Sequence, residues 1–362
     1  MNRRLRKIWI CGDVWMDILP SLDHAQLGLK MALLSYRYDA LVDKHFDGKK
    51  ELTIWRTIEI CEGIGPEPKL SVQIDDKFVA FPLPERPLPN KIRFNFLWIK
   101  YIDHSVIEFL RSNEQIWDRS GTDLELFIDG DQTEDNQPIW DVFTSEIWPL
   151  FATNIRHLRI DNGDDLDNLR RRTSPTILTD LDQLNLICSY GLFPDAIGDD
   201  GPNATAGQIL SKWLHTPSKN GQPKRLVCAN FDEEVNLDWV NSFKETFLGA
   251  TITSVSYKIP IYLHSETSPI EPFESVNERT KEKLTLEEMS RYDGGGGDLL
   301  LKRFPISEKA AAVQWENDDN LNYVQFYLCA GKRSTGPYGH QRTKKKKRVK
   351  ASKYRRIARK TN

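Results

Sequence analysis

Residues 92–110 read IRFNFLWIKYIDHSVIEFL. The first eight are apolar or aromatic apart from Arg93 and Asn95, a composition that suits a pleated, half-buried strand. Asp103 then stands where a carboxylate can cap a helix start, and Val106, Ile107 and Leu110 follow at helical spacing. Strand then helix is therefore the unit from which the middle of the chain is built.

Outward from this unit the pattern repeats. Further β-type runs lie at Leu124–Ile128, Ile155–Ile160, Leu181–Ile187, Arg225–Cys228 and Ile252–Ile259. With Leu97, Leu126, Leu158, Leu184, Leu226 and Val255 as anchors, the spacings are 29, 32, 26, 42 and 29 residues. Two intervening helices carry signals of their own. Asn203 precedes Ile209, Leu210, Trp213 and Leu214, while Trp239, Phe243 and Phe247 step by four before Gly249. A parallel crossover needs about this length, so the period suits either a leucine-rich-repeat-like solenoid or a doubly wound parallel sheet. A degenerate leucine-rich-repeat-like α/β solenoid over residues 91–265 is the expectation, although the Asn that closes a standard repeat is missing at most units. Ile102 to Ser105 offers no glycine to bring a phosphate onto a helix N-terminus, which argues against a dinucleotide fold.

Before the repeats, residues 8–48 read as helices. Ile10, Val14, Ile18 and Leu22 step by four with Trp15 and Leu19 alongside. A second helix is expected from about His24 with Leu27, Met31 and Leu34, and a third turn holds Tyr38 and Leu41. A bundle this small leaves apolar residues to be covered by a neighbouring domain or a partner.

The stretch ICGDVWMDILPSL at 10–22, then Gln26-Leu27, then LSYRY at 34–38 and Leu41, resembles the F-box. The family's usual Leu-Pro opening is Ile10-Cys11 here. Runs such as LVDKHF at 41–46 and FPLP at 81–84 make the whole chain similar to the divergent F-box proteins of nematodes. The resemblance implies an apolar helical face inserted into a groove on a Skp-type adaptor, and through it a cullin and a RING subunit. On this view Ile10, Val14, Ile18, Leu19, Leu22, Leu27, Leu34, Tyr38 and Leu41 carry adaptor contact, and the repeat domain holds an unknown protein target.

Residues 49–90 are expected to form a β hairpin turned at Asp75-Asp76 and a stiff linker at Pro82, Pro84, Pro87 and Pro89. Residues 266–330 read as a small β unit, with a hairpin near Asn277 and strands at Leu299–Ile306 and Tyr323–Leu328. Its Phe273, Val276, Leu301, Phe304, Trp315 and Phe326 would cap the last repeat. The whole is an α/β multi-domain chain.

The net charge of −2 hides a division. Fourteen of the 50 Lys and Arg lie from Gly331 onward with no acid among them, leaving 36 against 52 acidic residues, a charge of −16. The tail at 331–362 is too poor in apolar residues to fold alone and is expected to be disordered. Its run Lys344, Lys345, Lys346, Lys347 and Arg348 suits nuclear import or contact with nucleic acid or an acidic partner.

Chemistry-bearing motifs are sparse. The five cysteines are scattered without a CxxC pair, which fits a reducing compartment. The seven histidines show no HxxxH or HExxH spacing. Asp129-Gly-Asp131 and Asp164-Asp165 read as solvated loop carboxylates rather than a calcium loop. Gly294 to Gly297 lacks the Lys-Ser/Thr of a phosphate loop, and no GxSxG elbow is present. No apolar run approaches the roughly 20 residues needed to span a bilayer. The expectation is a non-enzymatic adaptor of a Skp/cullin/F-box ubiquitin ligase, cytoplasmic or nuclear, without cofactor, metal or membrane. The alternative is a nuclear or nucleic-acid-associated binding protein that uses the basic tail.

Overall fold

The computed structural model describes residues 10–47, 53–63, 67–74, 77–88, 92–117, 122–129, 137–160, 162–219, 221–229, 237–251, 255–262, 270–289, 298–307 and 322–329. The fold is mixed α/β. Its strands are β1 Thr53–Glu62, β2 Pro68–Ile74, β3 Lys77–Pro82, β4 Ile92–Ile99, β5 Thr122–Asp129, β6 Ile155–Ile160, β7 Leu186–Tyr190, β8 Lys224–Ala229, β9 Tyr257–Tyr262, β10 Phe273–Asn277, β11 Glu282–Met289, β12 Asp298–Pro305 and β13 Asn322–Cys329. They fall into two compact units. The first takes its residues from Met1–Phe127, Val142–Arg159 and Asn322–Leu328, and the second from Ile128–Asp141, Ile160–Leu321 and Cys329–Asn362.

The first unit opens with helices α1 Gly12–Ile18, α2 (24–34) and α3 Tyr36–Asp47. Pro20 sits in a single tight turn after α1, where its missing N–H costs nothing. Asp23 then starts α2, its carboxylate accepting from the Ala25 N–H at 2.7 Å and the Gln26 N–H at 3.3 Å. Helix α4, His104–Ser112, is capped as expected by Asp103, which accepts from the Val106 N–H at 2.9 Å.

The strands of this unit run in the order β6-β5-β13-β4-β1-β2-β3. Strands β2 and β3 form the expected hairpin, with Gln73 opposite Phe78. The turn residues Asp75 and Asp76 lie outside the described residues. Strand β1 is antiparallel to β2 but parallel to β4, with Ile58 opposite Leu97 and Ile60 opposite Ile99. These four residues, with Leu70 and Val72, are at most 1% exposed and form the apolar side of the strands.

Strand β13 corrects the solenoid. It lies parallel to β4, Val324 opposite Leu97, and separates β4 from β5. A solenoid stacks each strand beside its sequence neighbour, and a strand from the far end of the chain breaks that order. The 26-to-32-residue spacing misleads because any parallel crossover needs a comparable length. The same placement takes β13 away from the C-terminal β unit in which its sequence position suggests it belongs.

In the second unit the order is β10-β11-β12-β9-β8-β7. Strands β7, β8 and β9 are parallel, and β12, β11 and β10 continue antiparallel. Helices α5 Gly163–Arg172, α6 Ala206–His215 and α7 Leu237–Gly249 belong to it. Because α6 and α7 each join a strand to its immediate neighbour in one direction, right-handed crossovers place both on one side of the strands. That side carries Leu226, Cys228, Tyr257, Ile259 and Ile261, all 0% exposed. Trp213, Phe243 and Phe247 pack there, the last two on the predicted α7.

Several boundaries differ from expectation. The Leu181–Ile187 run starts as loop after a short helix at Ile177–Asp180, so β7 begins only at Leu186. Strand β9 begins at Tyr257, and residues 252–254 lie outside the described residues. The helix expected from Asn203 is capped by Thr205, whose hydroxyl accepts from the Gln208 N–H at 3.1 Å while Gln208 Oε1 accepts from the Thr205 N–H at 2.9 Å. Asp164 and Asp165 are not loop residues. They form the first turn of α5 behind the Asn162 cap, where the helix dipole favours negative charge.

The predicted hairpin near Asn277 is present. The Asn277 carbonyl oxygen Oδ1 accepts from the Arg279 N–H at 2.9 Å, and its Nδ2 donates to the carbonyls of Phe247 at 2.7 Å and Ala250 at 2.9 Å. One side chain thus shapes a turn and closes the end of α7. Trp315, Gly294 to Gly297 and Lys344 to Arg348 lie outside the described residues.

Candidate functional site

The N-terminal helices sort the nine expected contact residues into distinct positions. Leu19 and Leu27 are 0% exposed and hold the helices together. Ile10, Leu22, Tyr38 and Leu41 are half-buried. Val14 and Ile18, one turn apart on α1, are 46% and 36% exposed, and Leu34 is 64% exposed. Tyr36, which the sequence reading passed over as a contact residue, is the most open at 81%.

Two contacts bring the start of α1 beside the start of α3. The Trp15 and Tyr38 rings meet edge-on with centroids 5.1 Å apart, and the Arg37 guanidinium donates to the Ile10 carbonyl. Arg86 stacks its guanidinium 4.4 Å from the Tyr36 ring centre and pairs with Asp39 at 2.7 Å. Val14, Ile18, Leu34 and Tyr36 are thus exposed apolar side chains on helices whose Leu19, Leu27 and Phe46 are buried. Scattered single apolar residues on a surface are ordinary. Four large ones within a short helical segment leave more to cover.

Two buried polar clusters escaped the sequence reading because their members are far apart in the chain. In the first unit, Arg159 on β6 binds both oxygens of Asp123 on β5, with Nε to Oδ1 at 3.0 Å and Nη2 to Oδ2 at 2.7 Å. His157 Nδ1 stands 3.6 Å from the same carboxylate, an ion-pair distance rather than a hydrogen bond. Burial raises the Asp123 carboxyl, but His157 and the Arg159 charge outweigh it and bring it down to about 2. A charged residue at each apolar run, Asp123 just before Leu124 and Arg159 between Leu158 and Ile160, was the available signal.

In the second unit, His215 closes α6. Its Nδ1–H donates to the Ser211 carbonyl at 2.9 Å, which leaves Nε2 to accept from the Tyr257 hydroxyl at 3.4 Å. Burial, then the charge of Arg303, brings the imidazole down to about 4, against the Ser211 carbonyl, which pulls the other way. Burial likewise lowers Lys224 to about 7. Its ammonium donates to the Trp213 carbonyl and, at 2.5 Å, to the Thr216 carbonyl at the end of α6. Arg303 and Glu282, 3% and 1% exposed, pair at 2.6 Å. The imidazole and phenol have the parts of a proton relay, but Tyr257 is 0% exposed, so the pair ties α6 to β9.

Among the described residues no three His, Cys, Asp or Glu side chains gather as a cation site, and no helix is long and apolar enough to cross a membrane. Comparison with protein-family models, with curated proteins and with solved structures finds no match.

Proposed function

We propose that this chain is a non-catalytic, substrate-recruiting subunit of a Skp/cullin/F-box ubiquitin ligase, acting in the cytoplasm or nucleus. The outward placement of Val14 and Ile18 on α1, above buried Leu19 and Leu27, carries the reading. A helical segment whose Leu19, in the turn after α1, and Leu27, on α2, face inward while α1 keeps Val14 and Ile18 exposed suits insertion into a partner's groove. Leu34 and Tyr36 extend the surface, and the α/β units would present the target-binding surface.

The test is co-purification of the full chain with a Skp-type adaptor, with the Val14→Asp, Ile18→Asp double variant as comparison. Both positions are open, so the variant should keep its melting temperature while adaptor binding is lost. Equal binding by both proteins sinks the reading.

A second reading rests on the fourteen Lys and Arg from Gly331 onward against a body of charge −16. It makes the tail a contact for nucleic acid, with affinity that falls steeply as salt rises. Binding to single-stranded RNA that survives removal of residues 331–362 would exclude it.

A further inference from the structure

Three cations stand in one row on the second unit. The register of β8, β9 and β12 sets Arg225 opposite Lys258 and Lys258 opposite Lys302, and residues paired across neighbouring strands project to the same side. The alternate residues Leu226, Tyr257, Ile259 and Leu301 are buried on the side that α6 and α7 cover, so the cations point the other way. Neighbouring strands lie about 4.8 Å apart, which gathers three like charges within about 10 Å. The charges act on one another: burial first, then Arg225 and Lys302, lower the Lys258 ammonium to about 8. Like charges directly opposite each other on neighbouring strands are unfavourable, and a negative group brought to the row relieves them.

What surrounds the row narrows the chemistry of that group. Two residues along each strand, the same side carries Val227, Pro260 and Leu300, the last two opposite each other. They form an apolar row about 7 Å from the basic one. The face opens to solvent at β11 and β12. Lys302 and Glu287 pair at 2.7 Å with side chains 26% and 51% exposed, and Lys283 and Glu274 pair at 2.7 Å with 27% and 59% exposed. The two glutamates thus stand as a rim beyond the cations.

We propose that this face of β8, β9 and β12 binds an acidic amphipathic helix of a protein partner. A helix repeats about every 5.4 Å, so one carboxylate per turn meets successive cations about 4.8 Å apart. An adjoining apolar stripe of the helix lies on Val227, Pro260 and Leu300. A phosphate backbone fits less well, because it makes no use of the apolar row and must pass Glu274 and Glu287. The proposal stands whether or not the N-terminal helices dock an adaptor.

The experiment titrates the full chain with a fluorescein-labelled helical peptide carrying one Glu per turn beside a leucine stripe, and with a scrambled peptide of equal composition. The basic tail attracts both alike, so the difference between them reports the face. The patterned peptide should bind at least about tenfold tighter, and Lys258→Glu, which sets a carboxylate between two cations and keeps the fold, should remove that advantage. Leu300→Asn should weaken the patterned peptide about three- to fivefold. Equal binding of the two peptides, or unchanged affinity in folded Lys258→Glu and Leu300→Asn proteins, overturns the proposal. So does another occupant of the face, read as single-stranded RNA affinity or salt-sensitive self-association that Lys258→Glu abolishes.

Discussion

Arg159 and Asp123 meet across neighbouring strands through two parallel hydrogen bonds, with both side chains under 10% exposed. A fork-to-fork pair of this kind fixes the register of β5 against β6 as well as neutralising both charges. Removing either partner leaves the other buried and unpaired.

Asp123→Asn should therefore destabilise the protein by about 3–5 kcal/mol, measured by urea unfolding at neutral pH. The wild type carries a related signature. The Asp123 carboxyl is lowered from 3.8 to about 2, so its contribution is complete above pH 4 and is lost as pH falls through 2. The slope of stability against pH in that window should flatten in the variant.

His215 gives a window at milder acidity. Its folded value is about 4 against an ordinary 6.5, so the unfolded chain takes up the proton first. Stability should decline as pH drops from 6.5 to 4, by about 3 kcal/mol. His215→Gln should remove that slope while retaining hydrogen-bonding capacity. Unfolding curves at pH 7 and 4.5 decide the matter.

Gly198 lies against α6 so closely that a Cβ there would stand 2.5 Å from the Lys212 backbone nitrogen and 2.6 Å from its Cα. Backbone cannot step aside as a flexible side chain can. Gly198→Ala should cost about 1–3 kcal/mol and loosen loop 191–205, read as faster amide exchange there.

Arg170 holds the same loop from the other side. Its guanidinium, 6% exposed as a side chain, donates to the carbonyls of Ala204 at 2.5 Å, Pro202 at 2.8 Å and Gly201 at 3.1 Å. Arg170→Met keeps the stem and removes all three donors. The variant should lose about 2–4 kcal/mol, and limited proteolysis should cut first between residues 195 and 205.

Local signals in the sequence were readable where one residue does the work. Asp103 caps α4, and the Trp239, Phe243 and Phe247 ladder marks α7. Asn277 marks a turn, though not its second task of closing α7, since that needs the distant Phe247 and Ala250 carbonyls. Short apolar runs were poorer guides, and Leu181 to Asn185 shows why: Leu181 and Leu184 are buried without belonging to a strand. The solenoid expectation failed for a different reason. Spacing along the chain measures how far a crossover reaches, whereas strand order depends on a partner 227 residues beyond Trp98, at Gln325. Of the N-terminal surface, the helices were legible. Which leucines turn inward was not, because Ile18 and Leu19 are adjacent and equally apolar.

Strand β13 also gives the molecule a timetable. As the chain leaves the ribosome, β4 and β5 emerge together with the helices that belong beside them, yet the strand that comes between them is still about 190 residues from being made. Until it arrives, β4 and β5 each present an unpaired strand edge, the kind of template that invites pairing with the wrong chain. Synthesis of the first unit thus ends with the insertion of an interior strand, so a ribosome stalled ahead of Asn322 would hold a nascent protein open between β4 and β5.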